Sequence, residues 1–247
     1  MKIKQHLPSI FTLINLFLGF LAIINTMAGD YVIACYIILA AGAFDSVDGK
    51  IARLIGISTN FGKEIDSLAD MVSFCLAPSI LVYSLYTQNM PGISGEIIAS
   101  APLIMGAIRL ARFNSYVGDE NPAYFTGLPT PMNALSIASL VLFIEHFKID
   151  NPEYSQPRLI LPLILSLSYL MVSRVHYAKF PLLNFNFGKQ NTLRLLAVAL
   201  FGVTFIGAIF FGYPYRVLAG FVSFYLLTGI WNHLKYLGNF ETKNQET

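Results

Sequence analysis

Charge is what this 247-residue chain has least of: Asp, Glu, Lys and Arg make up 12% of it, about half the share usual in soluble domains. So few charges cannot cover a water-facing surface, which argues against a soluble globule, and the composition also excludes a disordered chain or a coiled coil. Cysteine is nearly absent. Cys35 and Cys75 both sit in apolar stretches, so neither a disulfide framework nor a zinc site is indicated. The four histidines, His6, His146, His176 and His233, share no metal-site spacing. A net charge of +2 supplies no basic field, so nucleic acid is not expected as a partner. What the chain does have is apolar sequence, with 55% hydrophobic residues and a mean hydropathy of +0.60.

That apolar content is arranged in runs. A helix needs about 20 apolar residues to cross a bilayer, and eight candidate spans follow: 7–27, 31–55, 67–87, 96–113, 132–147, 158–174, 193–212 and 214–235. The first run is too long for a signal-peptide core and has no convincing cleavage site. Continuous Leu/Ile-rich runs exclude the alternating strands of a membrane β-barrel. The expected fold is an all-α, polytopic membrane helix bundle forming a single domain over residues 1–247. Only Lys148, Arg158 and Arg216 fall on one side of this arrangement, and the other basic residues fall on the opposite side. The positive-inside rule then places both termini in the cytoplasm.

The scarce acids carry the functional signal. Asp45, Asp48, Asp66 and Asp70 lie within or beside the second and third spans, where a carboxylate costs about 2.5–3.5 kcal/mol on insertion scales. At about 100° per residue, Asp45, Asp48, Gly49 and Ala52 fall on one helix face. Gly62, Asp66, Asp70 and Ser73 form a matching stripe if the third helix starts near Gly62. Two such helices would converge four carboxylates into an oxygen-rich cage for hard divalent cations, Mg²⁺ or Mn²⁺ with Ca²⁺ as an alternative, and four carboxylates suffice for two ions. Gly49 and Ala52 leave the helix face smooth, and Arg53 offers a fork suited to phosphate, a combination that points to a bound pyrophosphate or nucleotide. Small residues taken alone would indicate only close helix packing.

The residues Asp45, Asp48, Gly49, Ala52, Arg53, Gly62, Asp66 and Asp70 read D-x2-D-G-x2-A-R-x8-G-x3-D-x3-D. This resembles the signature of the CDP-alcohol phosphotransferases, which transfer a substituted phosphate from a CDP-linked donor to an alcohol and release CMP. The resemblance implies metal ligands at Asp45, Asp48, Asp66 and Asp70. It implies nucleotide contacts at Asp48, Gly49, Ala52, Arg53 and Gly62, with Ser73 continuing the stripe, and makes Asp70 the general base. Three more segments resemble the phosphatidylserine synthase branch: Ser67–Phe74, Arg109-Leu-Ala-Arg112-Phe-Asn114, and Phe125-Thr-Gly127-Leu-Pro129-Thr-Pro131. Ser67 and Met71 stand where phosphatidylglycerophosphate synthases have Pro and Lys. Pro8–Asn15 fits a P-N-x-x-T-x-x-N pattern except at Ser9, which makes Asn15 the ligand contact expected there. Cys75 replaces the usual Gly of S-F-G.

The expectation is therefore an integral enzyme of the inner (cytoplasmic) membrane, embedded in membrane lipid, with its active site facing the cytoplasm. Its expected substrates are CDP-diacylglycerol and L-serine, and the resemblance suggests a homodimer. Arg109 and Arg112, three residues apart, are candidates for the serine carboxylate or the lipid phosphate together with Asn114; simple positive-inside anchoring is their alternative. Inositol phosphate or glycerol phosphate as acceptor is the rival within the family. A cation transporter is the rival from another class, disfavoured because Arg53 and Lys63 flank the acids and would repel cations.

Overall fold

The computed structural model describes residues 3–55, 60–115, 124–151, 160–178 and 189–245. It divides into two compact units, Met1–Val117 with Leu128–Val172, and Gly118–Gly127 with Ser173–Thr247.

The first unit is a helix bundle. Helices α1 (Ile3–Met27) and α2 (Tyr31–Ile55) pack along each other. Ala22, Ala34 and Ala41 are fully buried there, and such small side chains let helix backbones approach where apolar burial gives no preference over lipid. The turn between the two helices is set by Gly29, whose φ of +87° is open to glycine. Gly29 N donates to Thr26 O (3.1 Å) and Asp30 N to Asn25 O (2.9 Å), closing the last carbonyls of α1 in a Schellman pattern.

The third apolar stretch runs unbroken but changes its winding. It begins as α3 (Asn60–Asp70), widens into a π-helix, π1 (Met71–Leu76), resumes as α4 (Ala77–Val82) and widens again as π2 (Tyr83–Thr87). Pro78 accounts for the first change. It has no N–H to give back along the helix, and its ring crowds the carbonyl four residues earlier. The Ala77 N–H reaches instead to Val72 O, five residues back. The helix starts earlier than the apolar run at 67 because Asn60–Asp70 is amphipathic, a polar extension of the span. Helices α5 (Ser94–Ala99), α6 (Ala101–Ser115), α7 (Thr130–Asp150) and α8 (Ile160–Val172) complete this unit. α7 is its buried post: Ala134, Ile137, Ala138, Val141 and Leu142 lose essentially all exposure.

The second unit holds strands β1 (Tyr124–Thr126) and β2 (His176–Ala178), paired antiparallel with Phe125 opposite Tyr177, and helices α9 (Lys189–Phe210) and α10 (Pro214–Gln245). Gly212, at φ +79°, ends α9, and Pro214 opens α10. The Tyr177 ring is fully buried, stacks on Tyr225 with centroids 5.6 Å apart, and fills the notch left by Gly229. Burial pushes its hydroxyl up to about 12. His176 and His233 bring their Nδ1 atoms to 3.3 Å. Burial, and secondarily His233, hold His176 below its ordinary value.

The chain is thus mostly helical, and the short strand pair is the exception to an all-α reading. Its Tyr, Phe and Thr residues favour extended backbone, and Gly127 breaks the segment before α7 begins. Among the described residues, five stretches are long and apolar enough to cross a membrane: Ile10–Met27, Phe61–Thr87, Ser94–Ser115, Thr130–Ile149 and Pro214–Leu234. Tyr31–Val47, Ile160–Val172 and Ala199–Phe210 are apolar but shorter. Large apolar side chains such as Phe17, Phe20, Leu200, Val203, Phe224 and Leu227 point outward, as a lipid-facing surface requires.

Candidate active site

Three of the four spaced aspartates meet. Carboxylate oxygens of Asp45 on α2 and of Asp66 and Asp70 on α3 lie within 4.8 Å of one another. The one-turn spacing of Asp66 and Asp70 puts both on the same face of α3, and α2 supplies Asp45 from across the gap. The side chains of Asp48, Ala52 and Arg53 lie outside the described residues. Asp70 keeps some exposure as a residue, but its Oδ1 is buried and has no hydrogen-bond partner among the described residues.

The second ring of residues comes from α6 and α7. Arg109 and Thr130 both face the Asp70 carboxylate, as do Asp45 and Asp66. Arg109 Nη1 donates to Thr130 Oγ1 at 3.4 Å, and Thr130 is fully buried. Gly106 makes this junction possible. A Cβ there would stand 3.1 Å from Cys75 Cβ and 3.7 Å from Thr130 Cγ2, so α6, π1 and the start of α7 close on one another only because it has none.

Asn15 and Ser73 join α1 to π1 separately, where Ser73 Oγ donates to Asn15 O at 2.8 Å. Both are fully buried, and neither amide atom of Asn15 has a partner among the described residues. Gly62 begins the polar turn of α3, and Gly49 lies on α2 one turn beyond Asp45. Arg109 and Arg112 part company: Arg112 Nη1 donates to Val172 O at 3.2 Å, closing the last turn of α8. Asn114 exchanges hydrogen bonds with Ser67 (3.0 and 3.3 Å), tying the end of α6 to α3 beside Asp66. Thr130 is the site residue that spacing does not reveal. It sits at the variable position of the Gly127-Leu-Pro129-Thr-Pro131 segment, and only the docking of α7 brings it to Asp70.

The donor set suits a hard divalent cation. All three groups are anionic oxygens, and oxygens bound to one ion lie no more than about 4–5 Å apart at ordinary metal–oxygen distances. Asp70 Oδ1, buried without a hydrogen-bond donor, is the acceptor such an ion would satisfy. No cysteine or histidine joins the cluster among the described residues, so zinc is a poor match.

A helix bundle with membrane-length apolar helices that gathers aspartates from two facing helices presents the kind of carboxylate centre that suits metal-assisted phosphate chemistry. The family described as CDP-alcohol phosphatidyltransferase matches this chain over residues 5–182. The chain is similar to the CDP-diacylglycerol–serine O-phosphatidyltransferase of Helicobacter pylori, 34% identical over 225 residues that cover 90% of this chain and 89% of that one. The protein of the same name from Methanocaldococcus jannaschii is 35% identical over 171 residues, 69% of this chain and 72% of the other. An archaetidylserine synthase from Methanothermobacter thermautotrophicus is 33% identical over 177 residues, 70% of each. The chain belongs to the CDP-alcohol phosphatidyltransferase family.

Proposed function

We propose that the protein transfers the phosphatidyl group of CDP-diacylglycerol to the hydroxyl of L-serine, giving phosphatidylserine and CMP. The observation that carries this reading is the convergence of Asp45, Asp66 and Asp70 in a chain 34% identical, over nine-tenths of its length, to a relative named for that reaction.

The roles are those that the family resemblance implies for these positions. Asp45, Asp48, Asp66 and Asp70 would hold two divalent cations, Mg²⁺ or Mn²⁺, whose chemistry would be to neutralise the charge of the pyrophosphate. Asn15, Gly49, Ala52, Arg53, Gly62 and Ser73 seat the donor: small residues let its phosphates approach the backbone, and Arg53 pairs with them. Asp70 takes the proton from the serine hydroxyl. The serine oxygen then bonds to the lipid-bearing phosphorus while the bond to the CMP oxygen breaks. This single displacement needs no enzyme nucleophile, and because a carboxylate is a weak base, positioning and metal activation would supply most of the rate. Arg109 binds the serine carboxylate or the lipid phosphate, while Arg112 and Asn114 brace the neighbouring helix ends.

The same reading extends to the setting. The protein is one functional domain with eight membrane-crossing helices and both termini cytoplasmic. It resides in the cytoplasmic membrane as a homodimer, with the centre open to the cytoplasm where serine and CMP are soluble.

The test is to incubate purified protein with CDP-diacylglycerol, a divalent metal and single labelled alcohols. CMP release that depends on serine is expected. Release with only inositol phosphate or glycerol phosphate would move the assignment elsewhere in the family, and metal transport without CMP release would overturn it.

A further inference from the structure

A second buried polar residue lies on α7, one turn past Thr130. Asn133 follows Thr130 by three residues, which on an α-helix is about 60° around and about 4.5 Å along the axis, the same side one turn on. Thr130 faces Asp70 and Arg109. α7 packs on both π1, which follows Asp70, and α2, which carries Asp45. Asn133 is fully buried, yet neither its Oδ1 nor its Nδ2 has a hydrogen-bond partner among the described residues. Its neighbour Ser136, equally buried, donates to Met132 O at 2.7 Å in its own helix. Asn133 makes no such local bond, although it can offer two donors and two acceptor lone pairs. A buried amide left unpaired is strongly unfavourable, so a site that keeps one holds a polar partner for part of its working cycle.

We infer that Asn133 is an acceptor-binding residue, its amide meeting the zwitterionic α-carbon of serine while the serine hydroxyl lies at Asp70. The inference rests on the serine reading above. An amide suits this task because its carbonyl accepts from an ammonium and its NH₂ donates to a carboxylate, with no net charge added beside three carboxylates. Serine spans a distance similar to the step from Thr130 to Asn133, so one molecule reaches both levels of α7. The Arg109 guanidinium, held by Thr130, lies on the same side for the carboxylate. An acceptor without the amino-acid headgroup leaves the buried amide unpaired, and this is how a buried polar group discriminates between ligands.

The test is steady-state kinetics on the full-length purified protein and its Asn133→Leu variant, which keeps the side-chain volume and removes both polar atoms. The KM for serine is expected to rise at least tenfold, while the KM for CDP-diacylglycerol stays within twofold and the melting temperature is unchanged or higher. Asn133→Ser, which restores a small polar group, is expected to recover part of the serine affinity and stands in if the leucine variant does not fold. A serine KM within twofold of the wild type in whichever variant folds overturns the inference, as does an equal rise in both KM values. A wild-type protein that releases CMP with another alcohol and not with serine instead overturns the proposed function, and the two failures are thereby told apart.

Discussion

Replacing Gly19 by alanine is expected to disable the protein without altering any of the aspartates. Gly19 lies on α1 one turn beyond Asn15, facing π1. A Cβ there would stand 2.7 Å from Ser73 Cα and 3.0 Å from Ser73 Cβ, and closer still to Ser73 Oγ. Carbon atoms rest about 3.5–4.0 Å apart, so the two backbones must separate by about 1 Å. Ser73 Cα belongs to the backbone, so no rotamer change at Ser73 relieves the clash. Overpacking of this kind costs about 1–3 kcal/mol. The functional loss is larger, because Ser73 is three residues from Asp70 and a displacement of about 1 Å at a reacting group costs about 100-fold in rate. The assay is serine-dependent CMP release together with a thermal melt. Gly42→Ala on α2 is the control, since its added Cβ would meet only Phe74 Cε1 at 3.8 Å, an ordinary van der Waals separation. Gly19→Ala turning over within about threefold of the wild type would refute the claim that close approach of α1 and π1 positions Asp70.

Asp70→Asn keeps the shape of the side chain and removes its basicity; turnover is expected to vanish while the melting curve stays close to the wild type, and near-normal CMP release would remove Asp70 from its role. Chelation of divalent ions is expected to stop CMP release, with Mg²⁺ or Mn²⁺ restoring it, and full activity in excess chelator would contradict the metal-ligand roles. Gly229→Ala would set a Cβ 2.9 Å from Tyr177 Cζ and closer to other atoms of that buried ring, so the melting temperature is expected to fall by the equivalent of about 1–3 kcal/mol. His176 titrates below its ordinary value when folded, so the unfolded chain binds the proton more readily. Its stabilising contribution is complete above the ordinary histidine value of about 6.5 and is lost as pH falls through the lowered one. Melts of the wild type should therefore decline over that acidic window more steeply than those of His233→Asn, and parallel declines would show that the pair does not sense pH.

The positions of the helices were legible because membrane burial writes itself as length and hydropathy. The runs at 7–27, 96–113, 132–147 and 214–235 each coincide with a helix long enough to span. The aspartate cluster was legible because three- and four-residue spacings fix a helix face before any packing is known, and Asp66 and Asp70 needed only Asp45 opposite them. Other features depended on residues far apart in the chain. No spacing pairs His176 with His233, which meet because β2 lies along α10. Arg109 and Arg112 look alike in sequence, yet one reaches Thr130 and the other the end of α8.

The sequence by itself determined membrane-length apolar runs and a stripe of spaced carboxylates, since both follow from local composition and helical period, and the resemblance of that stripe to a family signature is what pointed to phosphate transfer. The tertiary structure decided what stands opposite those carboxylates. Pro78 unwinds the helix beyond Asp70, and Gly106 and Gly19 admit α6, α7 and α1 to close range. Thr130 thereby becomes part of the surroundings of the centre. Period and composition describe one helix at a time, whereas a pocket is made where several meet, and where they meet is set by which side chains are small enough to let them.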